Sequence, residues 1–222
     1  MRGSVIGISS MLLLGACAGG MSKEACLYAD WRAIGYEDGA RGFATSAVSS
    51  RRATCAKKAG VTVDMAAYME GRDAGLREYC QPSNGFAAGA RGGRYYGVCT
   101  GPVEAEFISA YQRGNQLFVL ERDVSAAANE LAHAEKHLAQ LRHDIDHAEL
   151  ALISPATPHP KRVDILVDLK NMRNEHERVA ASLGSLALNY ERAQDELADY
   201  RAFLAAEGPY PGAAQGVTRA GY

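Results

Sequence analysis

Acidic side chains beside the single tryptophan are the residues best suited to catalysis in this sequence. Asp30 precedes Trp31, and Glu37 and Asp38 lie in the segment GYEDGARG (35–42). Two carboxylates close to an aromatic ring could bind a sugar and hydrolyse its glycosidic bond. The same groups could instead cap a helix or pair with an arginine. Asp30, Trp31 and Asp38 are therefore a candidate ligand-binding or hydrolytic site, and structural roles are the favoured alternative.

Glycines at a spacing of four accompany these carboxylates. The pairs are Gly35/Gly39, Gly71/Gly75 and Gly85/Gly89, and GFAAGARG (85–92) repeats the first segment with alanines in place of its Glu-Asp. A phosphate-binding loop would need Gly-Lys-Ser/Thr after a strand, and a dinucleotide site would need a βαβ unit. Neither context is visible, so we expect no cofactor. Glycines four apart share a helix face, which favours close helix packing over ligand binding.

Histidines cluster in the second half of the chain. His133/His137 and His143/His147 are spaced to chelate a metal ion from one helix face. They fall mostly outside the apolar positions of the helix that contains them, so solvent-facing roles are favoured and no metal is expected. His176 occupies an apolar seam position, where a structural role is expected.

Four cysteines lie in the first half of the chain, at Cys26, Cys55, Cys80 and Cys99. Their even number predicts two disulfides in a chain that is exported, as the first residues indicate below. A zinc site would require closely spaced cysteine pairs, and these are widely separated. Of the three connectivities, we favour the sequential one, Cys26 with Cys55 and Cys80 with Cys99.

The first residues of the chain predict export and lipidation. Arg2 precedes an apolar run, and Leu-Gly-Ala-Cys at 14–17 resembles a bacterial lipobox. We therefore expect a signal peptide over 1–16 and acylation of Cys17 with chains such as palmitate. An ordinary secretory signal is the alternative. Ala18 after the cysteine favours the outer membrane, with the protein facing the periplasm.

Composition divides the rest of the chain. We predict a linker over 17–25, a Cys/Gly-rich helical domain over 26–102, a coiled-coil hairpin over 103–206 and a disordered tail over 207–222. The formal net charge is −2 and no basic stripe is present, so nucleic acid is not an expected partner.

Heptad repeats give the strongest physical signal. One seam before residue 154 and one after residue 162 carry apolar residues at alternating spacings of three and four. Their members are Leu117, Leu120, Val124, Ala127, Leu131, Ala134, Leu138, Leu141, Ile145, Ala148 and Leu152, then Ile165, Leu169, Met172, His176, Val179, Leu183, Leu186, Tyr190, Ala193, Leu197, Tyr200 and Leu204. Prolines between them end the first helix. The pattern predicts an all-α fold with an antiparallel hairpin roughly 60 Å long; pairing between chains is the alternative.

The first half of the chain resembles the Gram-negative lipoprotein family known as domain of unknown function 2799. The resemblance covers most of residues 26–116. It rests on Asp30, Trp31, Gly35, Asp38, Gly39, Cys55, Gly60, Val61, Tyr68, Gly71, Gly75, Leu76, Tyr79, Cys80, Asn84, Gly85, Gly89, Gly92, Tyr95, Cys99, Tyr111 and Gly114. It implies an exported, lipid-anchored, cysteine-containing domain, and it implies no activity.

Anchoring, disulfides and a long rod favour a non-enzymatic envelope scaffold or binding module. The expected partners are the membrane, through the lipid anchor, and an envelope protein or peptidoglycan. The basic loop His159-Pro160-Lys161-Arg162 at the hairpin tip is one surface that could meet them. An enzyme or glycan-binding site around Trp31 and Asp38 is the alternative function. The sequence leaves the oligomeric state open.

Overall fold

A computed structural model describes residues 21–207, and these residues form helices without any strand. In chain order the helices are α1 (Lys23–Leu27), α2 (Trp31–Ala40), α3 (Ala47–Ala59), α4 (Met65–Tyr79), α5 (Pro82–Ala90), α6 (Val103–Ile153) and α7 (His159–Ala206). The predicted signal peptide, the Cys17 predicted to be acylated and nearly all of the predicted tail lie outside the described residues. Within them, no helix is both long and apolar enough to cross a membrane.

The described chain divides into two compact units, of which the first comprises residues 21–80 and 96–100. Here α2 crosses α4 and α1 lies against α3. The core combines the Cys26–Cys55 disulfide with buried side chains, namely Trp31, Val48, Val63 and Tyr68. A second disulfide joins Cys80 to Cys99. The structure thus has the sequential pairing that the sequence favoured.

Side-chain caps set the starts of helices in this unit. Asp30 accepts a hydrogen bond from the Ala33 amide at 3.0 Å, and Asp64 accepts one from the Ala67 amide at 3.0 Å. Each satisfies a backbone donor that has no partner inside the helix. The Asp30 carboxylate therefore caps α2, which is the structural alternative considered for it from the sequence.

The second unit comprises residues 81–95 and 101–207. Its helix α5 packs on the first turns of α6, and α6 and α7 form the predicted antiparallel hairpin. Every heptad-seam position of both helices is buried or half-buried, including the half-buried His176. The all-α prediction with a long helical hairpin is thereby confirmed. The boundary placed at residue 102 differs from this division, because α5 packs with the hairpin.

Charged pairs on the two flanks of the hairpin agree with its antiparallel register. On one flank Arg201 bonds Glu121 at 2.8 Å, and Arg173 bonds Glu149. On the other, His137 Nε2 lies 3.5 Å from Glu175 Oε1. Each pair joins equivalent heptad positions of the two helices, which is the arrangement that antiparallel pairing produces.

The hairpin is longer than predicted. Helix α6 has 51 residues and α7 has 48, so the rod extends for about 75 Å at 1.5 Å per residue. The prediction was shorter because it counted the seam-bearing arms, whereas α6 already begins at Val103, before the first seam residue Leu117, and α7 begins inside the segment assigned to the turn. Helix α7 in fact begins at His159 and tolerates Pro160 in its first turn, where a proline removes no helical hydrogen bond.

Candidate functional site

The three residues of the candidate acidic site lie on or next to α2, but they do not form a cleft. Trp31 is only 7% exposed and belongs to the core of the first unit. Asp30 is held as a helix cap. Eight residues of helix separate Asp30 from Asp38, a rise of about 12 Å. Carboxylates that hydrolyse glycosides lie roughly 5–9.5 Å apart across the bond they cleave, whereas the backbones of these two residues are about 12 Å apart along the helix.

Asp38 is the centre of a buried polar group. Its side chain is enclosed, with the residue only 2% exposed. Arg51 of α3 donates to both carboxylate oxygens, with Nη2 at 3.0 Å from Oδ1. The Tyr68 hydroxyl of α4 donates to Oδ2 at 2.9 Å. Asp38 therefore joins three helices, and every one of these contacts uses an oxygen that a catalytic carboxylate would need free.

This polar group shifts the titration of its members. Burial raises the pKa of Tyr68 to about 12, and the hydrogen bond to Asp38 acts in the same direction. The hydrogen bond to Asp38 also raises the pKa of Arg51. Both shifts favour the forms in which the tyrosine and the arginine donate hydrogen bonds, which is the expected behaviour of a structural network.

Arg72 is the second buried charged residue of the first unit, at 6% exposed. Its Nη2 donates to the Phe43 carbonyl at 3.0 Å, which ties the segment after α2 to α4. Its Nε is buried and has no hydrogen-bond partner among the described residues.

The glycines of α2 and α4 form a reciprocal crossing. A Cβ added to Gly35 or Gly39 would lie 2.0 or 2.2 Å from a carbonyl oxygen of α4. A Cβ on Gly71 or Gly75 would lie 1.9 or 2.1 Å from a carbonyl oxygen of α2. A Cβ cannot fit at these distances. The two backbones are therefore in direct contact, and this contact requires glycine on both helix faces. The glycine pairs are packing surfaces, as the sequence favoured.

A second crossing repeats the first with different residues. Gly89 of α5 would place a Cβ 2.1 Å from the Tyr111 carbonyl, and Gly114 of α6 would place one 2.1 Å from the Phe86 carbonyl. These contacts correspond to those of Gly39 with Arg72 and of Gly75 with Tyr36. The pair α5/α6 is therefore an internal repeat of the pair α2/α4.

The two copies differ in the polar group. Where the first copy has Asp38 and Tyr68, the second has Ala88 and Phe107, so both hydrogen-bonding groups are absent together. The Tyr111 hydroxyl donates to the Gly93 carbonyl at 2.9 Å, and Arg72 makes the equivalent bond to Phe43. The α5/α6 crossing has no equivalent of α3 and forms without these hydrogen bonds. The Asp38 network therefore has a packing role in the first unit.

The repeated Gly-Ala-Arg-Gly ends a helix in each copy. Its last glycine has φ of +70° at Gly42 and +68° at Gly92. Glycine adopts this left-handed conformation without strain. A Cβ would lie 2.2 Å from the Tyr79 ring at Gly42 and 2.5 Å from the Phe118 ring at Gly92. The motif therefore stops the helix and seats an aromatic ring.

Sequence reasoning missed Arg51 as the partner of Asp38. The sequence indicated pairing with an arginine but did not identify which one, because α3, which carries Arg51, lies between the two repeats. One available signal was the joint loss of a tyrosine and an aspartate between the two copies, at Tyr68/Phe107 and Asp38/Ala88.

Apolar side chains at the hairpin tip form a second candidate site. Five large ones are 54–73% exposed within the last turn of α6 and the first turns of α7: Leu150, Ile153, Val163, Leu166 and Val167. We call these five residues the tip patch. Elsewhere on the described hairpin, large exposed hydrophobics are sparse, at Val103, Leu188 and Phe203. Exposed apolar side chains concentrated at one end of a helix pair are a candidate interaction surface.

Three members of the tip patch share one flank of the hairpin. Glu149 of α6 and Arg173 of α7 form a salt bridge on this flank. Ile153 lies four residues after Glu149 and Leu166 lies seven residues before Arg173, so both side chains lie on the same flank as the salt bridge. Val163 is one turn before Leu166. Arg162, predicted as part of a basic tip, instead closes the turn: it donates to the Ser154 carbonyl at 2.9 Å and to the Thr157 carbonyl at 3.1 Å.

The histidine pairs of α6 are exposed, as expected. Among the described residues, no three or more His, Cys, Asp or Glu side chains converge as a metal site.

Comparison with known proteins gives one match. The search of curated proteins found none, and the search of solved structures found none. Residues 30–116 match the family model described as "Protein of unknown function (DUF2799)", which confirms the resemblance seen in the glycine and cysteine pattern. The matched segment contains both helix crossings and ends in the first turns of α6. Residues 30–116, fewer than half of the chain, are therefore similar to the DUF2799 family of proteins of unknown function.

Proposed function

We propose that this protein is a non-enzymatic scaffold of the bacterial envelope, anchored through an acylated Cys17, that binds a protein partner with its tip patch. The observation that carries the proposal is the concentration of exposed apolar side chains at the end of a helical rod about 75 Å long. A rod of this length keeps the contact surface at the turn far from the opposite end of the hairpin. The favoured task is therefore to reach and hold a partner.

The chemistry of the tip patch favours an envelope protein over peptidoglycan. Its members are aliphatic, and burying them against another apolar surface yields roughly 25 cal/mol per Å². A polar sugar polymer offers little such surface and is usually bound by aromatic and hydrogen-bonding side chains. Arg162, which precedes Val163, already donates hydrogen bonds to backbone carbonyls of the turn.

Co-purification from detergent-solubilised envelopes tests this function. The wild-type chain is compared with Ile153→Asp/Leu166→Asp, which places charge on the tip patch. Leu188→Asp is the matched control, because Leu188 is 61% exposed on α7 but distant in sequence from the tip. We expect at least one protein to be retained by wild type and Leu188→Asp and lost from the tip variant. An identical set of proteins on all three would contradict the proposal.

Anchoring has its own test. Cys17→Ser should move the protein from the membrane pellet to the soluble periplasmic fraction and abolish incorporation of a labelled fatty acid, because the thiol is the site of acylation. A Cys17→Ser protein that still pellets with membranes and carries label would contradict the anchor.

The alternative function, a glycan-binding or hydrolytic site at Asp30, Trp31 and Asp38, has no specific observation in its favour. Trp31 is buried, Asp30 caps α2, and Asp38 is bonded to Arg51 and Tyr68.

A further inference from the structure

Metal-binding histidines lie in two pairs on α6. His133 and His137, and likewise His143 and His147, are four residues apart, a spacing that returns to the same side of a helix. All four histidines of the two pairs are exposed, so their rings can rotate to meet an ion. Apart from Leu141, the residues lining the adjoining groove come from α7, among them Asn171, Met172 and Glu175.

The first pair is met by a carboxylate of the other helix. His137 Nε2 lies 3.5 Å from Glu175 Oε1, and the second oxygen of Glu175 bonds Arg178. His133 lies one turn before His137 on the same face. Two imidazoles and one carboxylate are a common ligand set for Zn²⁺, whose remaining positions water can fill.

The second pair already has nearly parallel rings. The centroids of His143 and His147 are 6.5 Å apart, with 21° between the ring planes. Asp144 lies beside them, with its Oδ1 3.3 Å from His143 Nδ1 and 2.9 Å from the Gln140 amide nitrogen that donates to it. An oxygen that orients a ligating histidine is a usual companion of metal sites.

We propose that the two pairs are separate, exchangeable sites for a divalent transition ion that prefers imidazole, with Zn²⁺ as the probe. Histidines four apart on one helix face are a known way to hold such an ion. In the conformations described no three of these groups converge, so each site would form by rotation of its exposed rings, with two imidazole ligands and, at the first, Glu175. Neither is a closed cage of protein ligands, so the ion would exchange with solvent. The inference is independent of the tip patch and of the proposed scaffold function.

Isothermal titration with Zn²⁺ on the tag-free, chelator-treated full chain in detergent tests the proposal. We expect two equivalents on wild type and one on either His133→Ala/His137→Ala or His143→Ala/His147→Ala. The variant with all four substitutions should bind none. His159→Ala is the control and should keep both equivalents. Glu175→Gln should weaken the first site several-fold and leave the second unchanged.

Misfolding does not confuse this test, because the four positions are exposed and alanine favours the helix more than histidine does. Circular dichroism of each variant checks this directly. Absence of saturable binding to wild type would overturn the proposal, and so would an unchanged stoichiometry in the variant that lacks all four histidines. An unaltered affinity in Glu175→Gln would remove the carboxylate from the first site.

Discussion

At the scale of single residues, the most informative feature is a carboxylate that looks catalytic in the sequence and is structural in the fold. Asp38 is buried and bonded to Arg51 and Tyr68, and its equivalent in the second helix crossing is Ala88. The cap at Asp30 could be predicted, since capping depends on the next three residues of the chain. The partner of Asp38 could not, because it depends on how α3 packs.

Removal of the Asp38 carboxylate should destabilise the first unit. Asp38→Ala leaves the Tyr68 hydroxyl without its acceptor and Arg51 without its ion pair, and we expect a loss of about 3 kcal/mol. The side chain of Arg51 is 30% exposed, which limits the cost of leaving it unpaired. Chemical denaturation followed by the fluorescence of Trp31, the only tryptophan, measures the unit that contains it.

The second helix crossing predicts how the first can be rescued. Asp38→Ala/Tyr68→Phe reproduces the Ala88/Phe107 combination, in which donor and acceptor are both absent. The double variant should therefore cost less than the sum of the single ones, by on the order of 1–2 kcal/mol. If the stability losses of the two single variants simply add up in the same denaturation assay, Asp38 and Tyr68 do not stabilise the unit through their shared hydrogen bond.

The raised pKa of Tyr68 predicts that the stability of the first unit falls at alkaline pH. Its pKa is about 12 in the fold and near 10.0 in the unfolded chain, so the folded state holds the proton more tightly. The stability from this shift is fully present below pH 10 and is lost as the pH rises towards 12. Tyr68→Phe should flatten the fall in Trp31-detected stability over that range. Tyr28→Phe, at a residue that is 87% exposed, should leave the slope as in wild type.

At the scale of helices, the chain is built on two glycine-lined crossings and one heptad hairpin. The hairpin was predictable because its seam repeats regularly and its turn contains prolines. The crossings were predictable as packing, but not as particular pairs of helices, since a bare glycine face does not specify its partner. The placement of α5 with α6 therefore required the structure.

Alanine at one crossing glycine should separate α2 from α4. In Gly75→Ala the new Cβ would lie 2.1 Å from the Tyr36 carbonyl, and relief requires backbone movement. We expect a loss of about 1–3 kcal/mol or more in the Trp31-detected unfolding.

A glycine outside the crossings provides the opposite expectation. Gly184 of α7 has open space where a Cβ would stand, so Gly184→Ala should stabilise the hairpin by up to about 1 kcal/mol through helix propensity. Thermal unfolding followed by circular dichroism measures it. Equal destabilisation by Gly75→Ala and Gly184→Ala would contradict the close-crossing explanation.

At the scale of the whole molecule, disulfides and heptads stabilise different parts. Both disulfides lie in the first unit, and each closes a loop worth about 3 kcal/mol by chain entropy. The hairpin contains no cysteine and holds most of the helical residues. Reduction should therefore abolish the native Trp31 fluorescence while most of the helical circular dichroism remains. Simultaneous loss of both signals would show that the hairpin depends on the disulfides.

The central claim is that this protein acts through the end of its helical rod. The most direct measurement places a photoreactive amino acid at Val163 or Leu166 in living cells, with Glu191 as an exposed position of α7 away from the tip. We expect a discrete cross-linked protein from the two tip positions and none from Glu191. Equal products at all three positions, or none at the tip, would contradict the claim.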